Sequence, residues 1–220
     1  MSVRLTSFSF IHIYELCEHP LNHDMSQKPR LRRELLAARR LLTSQDVRQA
    51  ATVLASAALD LPELTGARTV AAYVSVGREP GTHVLLDALR ARGVRVLLPV
   101  LMEDNDLDWA VFEGAEHLLP AGRGLLEPGG ARLGPRAVLD ADAVLLPGLA
   151  VDGRGMRLGR GGGSYDRVLA RLSDAGAHPA LIVLLYDDEV VARVPEEPHD
   201  HPVDAVVTPA GARRFPSRAS

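Results

Sequence analysis

LPGLAVDGRGMRLGRGGGSYDR, residues 146–167, packs seven glycines, four arginines and two aspartates into 22 positions directly after an apolar run. Glycines at 159, 161, 162 and 163 let several backbone N–H groups converge on phosphate oxygens, and a helix starting at Ser164 adds the partial positive charge of its N-terminus. Arg157, Arg160 and Arg167 supply full charges, and Asp166 at the edge of the loop is a carboxylate suited to a magnesium ion bridging phosphates. The plainer alternatives are a flexible turn for the glycines and helix N-terminal stabilisation for Asp166. No Gly-Lys-Ser/Thr follows, so this is not a Walker A loop, and Ser164 stands where the dinucleotide fingerprint has its third glycine.

The surrounding pattern says what kind of fold carries this loop. From Lys28 to Leu42 the leucines 31, 35 and 42 form one stripe on a basic helix, and Thr43 or Ser44 caps a second helix that runs to about Leu59. After Gly66, short β-rich runs alternate with helices, which predicts a layered α/β domain around a mostly parallel sheet. Strands are expected at 69–76, 94–99, 143–146, 180–185 and 205–208, and helices at 82–92 and 164–172. Leu107 to Phe112 reads as an edge or antiparallel strand. Residues 113–135 read as a long Gly/Pro-rich connection, and the tail after Pro209 as loose. In such sheets ligands gather at the carboxyl ends of strands, and the glycine-rich stretch begins where the 143–146 strand ends.

Composition bounds the function. At 220 residues with 46% hydrophobic content the chain can bury one sizeable core, and a net charge of −3 provides no basic field for nucleic acid. Cys17 is the only cysteine, which excludes an intramolecular disulfide and a multi-cysteine zinc site and makes a reducing cytoplasm the simplest setting. The apolar patch 8–14 is too short to span a membrane and lacks a signal-peptide cleavage site. Residues 1–24 read as an extension, with Met25 as a second candidate start; residues 25–209 read as a single domain and 210–220 as its tail. The oligomeric state is not fixed by the sequence, a monomer being the simplest.

Further chemistry-bearing residues lie outside the loop. Lys28 and Arg32, four apart on one helix face, form a second phosphate clamp if that helix crosses the glycine loop, and otherwise a solvated face. Glu79, in the turn SVGREPGT, is a candidate for a polar ligand group. Asp200 sits in EEPHDHPVD, where His199 and His201 are too sparse for a zinc site. Tyr73 and Trp109 read as core aromatics.

In order along the chain, Lys28 with Arg32, Glu79 with Thr82, Gly124 with Pro128, PGLAVD at 147–152, RLGRGGGSYD at 157–166, and Asp200 before Val203 and Asp204 resemble the 5-formyltetrahydrofolate cyclo-ligase family. The resemblance implies a fold similar to the ribose-phosphate isomerase and CoA-transferase group. It also implies ATP-dependent closure of 5-formyltetrahydrofolate to 5,10-methenyltetrahydrofolate through a phosphorylated formyl group, with release of ADP and phosphate. By carry-over, Lys28, Arg32 and Arg157, Leu158, Gly159, Arg160, Gly161, Gly162, Gly163, Ser164 and Tyr165 hold ATP. Asp166 and Asp200 hold magnesium. Val74, Glu79 and residues 160–164 contact the folate, and Arg160 neutralises charge during transfer. Ser164 departs from the family's usual tyrosine, and Gly162 takes a position often held by lysine. The competing readings are a folate- or nucleotide-binding paralogue without turnover, and a phosphosugar isomerase or acyl-CoA transferase on a related fold. Such an isomerase needs no nucleotide, so the cluster of Lys28, Arg32 and Asp166 speaks against it.

Overall fold

Four short runs, TVA, AVLL, ALIVL and AVVT, are apolar on both faces and therefore pack at the centre of a sheet covered on both sides. The computed structural model describes residues 27–197 and 200–216. The expected extension before Met25, with Cys17 in it, lies outside them. These runs are β1 (Thr69–Ala71), β6 (Ala143–Leu146), β9 (Ala180–Leu184) and β11 (Ala205–Thr208). With β2 (Arg95–Leu101), β3 (Leu107–Val111) and β12 (Gly211–Arg214) they form a seven-stranded sheet in the order β12-β11-β9-β6-β1-β2-β3. All neighbours are parallel except the two edge pairs, β2 with β3 and β11 with β12.

The period-two alternation sorts the core into two halves. Ala143, Leu145, Ile182, Leu184, Ala205 and Val207 face helices α2 (Ser44–Leu59) and α4 (His83–Ala91) through Leu54, Ala58, Leu85, Leu86 and Leu89. Val144, Leu146, Val183 and Val206 face the other way, onto Val168, Leu169 and Leu172 of α5 (Ser164–Asp174) and onto Trp109. Thr43 caps α2 with a reciprocal box: its hydroxyl accepts from the Asp46 amide, and the Asp46 carboxylate accepts from the Thr43 amide. A four-residue helix, α3 (Pro62–Thr65), leads into β1.

A second, small sheet of β7 (Ala150–Asp152), β8 (Arg157–Leu158) and β10 (Val190–Val191) lies beside the first in the order β10-β7-β8. Leu31, Leu35 and Leu36 of α1 (Gln27–Leu41) cover it, packing on Leu149, Ala150, Met156, Leu158 and Val194. Leu31 and Leu35 of the expected stripe, joined by Leu36, therefore cover the strands that carry the glycine loop, while Leu42 lies past the end of the helix. This brings α1 across that loop.

Three expectations are corrected. The strand predicted over 69–76 ends at Ala71: the Ala72 amide makes one more bond to β2, to the Leu97 carbonyl at 2.8 Å, and from Ser75 onward the amides bond within a turn. The amide of Ser75 donates to the Thr82 hydroxyl at 2.9 Å, that of Thr82 to the Ser75 hydroxyl at 3.1 Å, and that of Val76 to Glu79 Oε2 at 2.8 Å. Residues 113–135 are not a featureless connection; β4 (Leu118–Pro120) and β5 (Leu126–Pro128) make an antiparallel hairpin within them. The tail is not loose where it begins, since β12 pairs with β11 from Thr208↔Gly211 to Ala205↔Arg214, and Phe215 is buried beyond it.

Candidate active site

The first crossover from β1 runs outward to β2, whereas β6 returns to the opposite side of β1. A sheet that reverses its winding opens a crevice at the carboxyl ends of the two strands concerned. Here a cleft of about 320 Å³ occupies that place. The segment leaving β1 contributes Tyr73, Val74, Val76 and Glu79, and the turn leaving β6 contributes Pro147 and Gly148. The glycine loop forms one wall from Gly159 through Asp166, with Arg157 behind it. Pro99, Leu101, Leu107, Leu125 and Leu126 make the opposite wall largely apolar, with Arg123 and Glu127 as its charged members.

Backbone geometry explains why the loop must be glycine at particular points. Gly161 and Gly163 have φ of +88° and +78°, a region that a side chain enters only under strain. Gly163 precedes α5 as its N-cap, so the unpaired amides of that helix's first turn open beside the cleft. A Cβ at Gly159 would sit 2.9 Å from Arg157 Nη1 and one at Gly161 3.1 Å from Arg32 Cζ. At Gly162 a Cβ would meet nothing within 4 Å, so this position has room for a side chain.

The residues singled out from sequence meet in pairs. Arg32 Nε donates to the Gly159 carbonyl at 2.9 Å, so the first helix does cross the loop. Lys28 Nζ donates to Asp200 Oδ2 at 2.7 Å and to Glu197 at 2.8 Å; burial opposes its charge, but these carboxylates outweigh it and raise its pKa. Arg160 Nε lies 3.1 Å from Glu79 Oε1 across the cleft. Arg157 Nη1 donates to the Pro147 carbonyl at 2.9 Å and Nη2 to Asp166 Oδ1 at 3.3 Å.

Arg157 is buried at 9% exposure, and among the described residues its Nε has no partner. Burial lowers its pKa, while Asp166, Tyr165 and Asp200 oppose that shift, which sets both aspartates within electrostatic reach of one guanidinium. Tyr165 lies between the two core halves, and burial, with Glu79 next, pushes its hydroxyl far up, so it stays protonated and cannot act as a base. Leu158 is the exception among the loop residues: its side chain is 1% exposed in the small core under α1, away from the cleft. Lys28, Arg32 and Asp200 stand on the α1 side of the loop, beside the lining and not in it.

Several residues escaped the reading of the sequence. Arg39 is buried and donates to both carboxylate oxygens of Glu189 and to the Gly148 carbonyl at 2.7 Å. Its guanidinium also lies over the Tyr186 ring, whose hydroxyl donates to the Arg78 carbonyl beside Glu79 at 3.2 Å. Burial raises the Glu189 carboxyl even though Arg39 pulls it down. Asp152 accepts from the Arg154 amide and guanidinium and from the amides of Met156 and Val194, and so shapes the turn into β8. The Asp in PGLAVD was the only signal for it. The hairpin residues that form the apolar wall had just the Gly124 and Pro128 pattern to announce them.

Among the described residues no group of three His, Cys, Asp or Glu side chains is arranged to hold a metal by itself, and no helix is long and apolar enough to cross a membrane. The chain is similar to the 5-formyltetrahydrofolate cyclo-ligase of Mycolicibacterium smegmatis, 44% identical over 147 residues, 64% of this chain and 74% of that one. It is also similar to the 5-formyltetrahydrofolate cyclo-ligase of Escherichia coli K12, 32% identical over 78% of this chain and 94% of that one. The solved structure of Aquifex aeolicus 5,10-methenyltetrahydrofolate synthetase superposes with a TM-score of 0.73 at 29% identity, covering 88% of this chain and 95% of its own. The family model described as the 5-formyltetrahydrofolate cyclo-ligase family matches residues 24–209, and the chain belongs to that family.

Proposed function

We propose that this chain closes 5-formyltetrahydrofolate to 5,10-methenyltetrahydrofolate at the expense of ATP, releasing ADP and phosphate; its relatives are named for the substrate and the product of that closure. The observation that carries the reading is the continuity of one cleft from an arginine-lined glycine loop to an apolar wall. Such a cleft suits a phosphate chain meeting a flat, largely apolar ring system.

The chemistry follows from what a formamide lacks. Its oxygen is a poor leaving group, so the γ-phosphoryl of ATP is transferred to it first. Nitrogen 10 of the folate then attacks the formyl carbon, the carbon–oxygen bond breaks, and phosphate departs with the proton that nitrogen 10 gives up. Phosphoryl transfer requires alignment and charge neutralisation more than a protein nucleophile. Arg157, held from Pro147 and Asp166, and the amides of residues 161–166 provide fixed positive potential. Arg160, whose side chain is 53% exposed and pairs with Glu79 at the cleft, neutralises charge on the transferred group. Lys28 and Arg32 hold the rest of the ATP, and Glu79 and Val74 the folate.

Asp166 and Asp200 would hold magnesium as one or two carboxylates completed by substrate oxygens, which is what that ion prefers, rather than as a closed protein cage. Both influence Arg157, and the side chain of Asp166 is 45% exposed at the cleft. When bound there the ion neutralises charge on the phosphates. The protein then works in the cytoplasm on small molecules alone.

The test is growth of the near-ultraviolet absorbance of the methenyl product with protein, 5-formyltetrahydrofolate and Mg-ATP. An ATP-dependent rise is expected. Folded protein giving none would refute the activity.

A further inference from the structure

Among the described residues only two that are not glycine adopt a left-handed backbone, Asn105 at φ +64° and Arg123 at φ +62°. They touch each other: Arg123 Nη1 donates to Asn105 Oδ1 at 3.1 Å, joining the tip of the β4–β5 hairpin to the β2–β3 turn. Asparagine visits this region readily, but for an arginine it is unfavourable, and such a backbone persists where the surrounding structure fixes it and tends to mark a working site. Arg123 lines the cleft at its apolar end, opposite the glycine loop.

Its electrostatic setting differs from that of every other cation in the lining. Arg157 and Arg160 are each matched with a carboxylate. Arg123 faces a neutral amide. The acids flanking Asn105 are already engaged by α5, Asp106 with Arg171 at 2.5 Å and Asp104 with Arg167 at 3.6 Å. Glu127, the other charged group on this wall, has Oε1 occupied by the Leu101 amide at 2.9 Å, which ties the hairpin to β2. The apolar end of the cleft therefore finishes in an exposed guanidinium with no carboxylate partner among the described residues, set by a strained backbone.

From this we infer that Arg123 is a binding residue for the carboxylates of the substrate's glutamyl tail, the anionic end of a folate lying farthest from the reacting formyl group. The inference rests on the folate reading of the cleft. With the ring system between Pro99, Leu101, Leu107 and Leu125, the tail leaves the cleft past Arg123. The contact is a charge-assisted hydrogen bond at a solvent-exposed rim, and it strengthens binding without touching the transfer step.

The test compares 5-formyltetrahydrofolate with the primary amide of 5-formyltetrahydropteroic acid, which keeps the reacting rings and the aryl carboxamide and lacks the glutamate carboxylates. Arg123→Asn removes the charge with a residue that tolerates the left-handed backbone. The expected result is a rise of about tenfold in KM for the glutamylated substrate at unchanged kcat, with no change for the pteroic amide and substantial rescue by Arg123→Lys. Equal shifts for both substrates, as from a damaged hairpin or ring contact, would overturn the assignment, and so would no shift at all. If the wild-type chain turns over neither compound, the cyclo-ligase reading itself falls; wild-type turnover with an indifferent Arg123→Asn removes this inference alone.

Discussion

Gly161 and Gly162 are chain neighbours with opposite tolerances. At Gly161 a methyl group enters a left-handed backbone and presses on Arg32, whereas at Gly162 it meets open space. Gly161→Ala is expected to strain the loop by about 1–2 kcal/mol and to raise the KM for ATP several-fold, with Gly162→Ala close to wild type. Steady-state kinetics with ATP as the varied substrate checks this contrast. Arg160 is half exposed and makes one ion pair, so Arg160→Ala leaves the melting temperature unchanged while kcat drops about 100-fold. Unaffected turnover would remove it from the transfer step. At this scale the sequence named the glycine-loop half of the lining, because glycines, arginines and a helix start adjacent in the chain announce a cradle locally. What it could not announce is pairing: Lys28 and Asp200 are 172 residues apart, and Arg32 and Gly159 127 apart. Arg123, inside an Ala-Gly-Arg-Gly turn, carried no local signal beyond the glycines themselves.

The elements that were legible are those whose burial writes a long pattern. β6 and β11 lie where their apolar runs predict, and α2 begins at its cap. β7, β8 and β10 have two or three residues each, too few to show a period, yet they carry the glycine loop. β12 reads GARR and is mostly exposed, so an edge strand looks like a polar tail until its partner is known. The small sheet depends on Asp152. Burial alone would raise this carboxyl, but the bonds from Arg154, Met156 and Val194 outweigh it and hold its pKa below the usual carboxylate range. The unfolded chain, with a value near ~3.9, then takes up the proton first, so the stabilisation is complete above that value and is lost as pH falls through the folded one. Asp152→Asn is expected to lower stability at pH 7 by about 2 kcal/mol and to flatten the acid limb of a denaturation curve taken from neutral pH downward. An unchanged acid limb would mean that another carboxylate controls it.

Over the whole molecule, Arg39 ties together the parts that position the two substrates. It reaches from α1 to the Gly148 carbonyl at the end of β6 and to Glu189, and through Tyr186 to the backbone beside Glu79. Breaking a buried ion pair on one side leaves the other charge uncompensated, so Arg39→Met is expected to destabilise the fold by about 3–5 kcal/mol. Urea denaturation of Arg39→Met and of the double variant with Glu189→Met tests this: the double variant should recover part of the loss, and no recovery would mean that packing rather than charge is at stake. The fold class was legible at this scale because alternating strands and helices leave few arrangements for a parallel sheet. The position of α1 on the second sheet was not, since a leucine stripe does not say what it covers.

The most direct test of the chemistry follows the formyl oxygen itself. When the enzyme turns over 5-formyltetrahydrofolate labelled with oxygen-18 in the formyl group, mass spectrometry of the released phosphate should find one label per methenyl product formed. Unlabelled phosphate alongside full conversion would contradict phosphorylation of the formyl oxygen in the glycine-lined cleft.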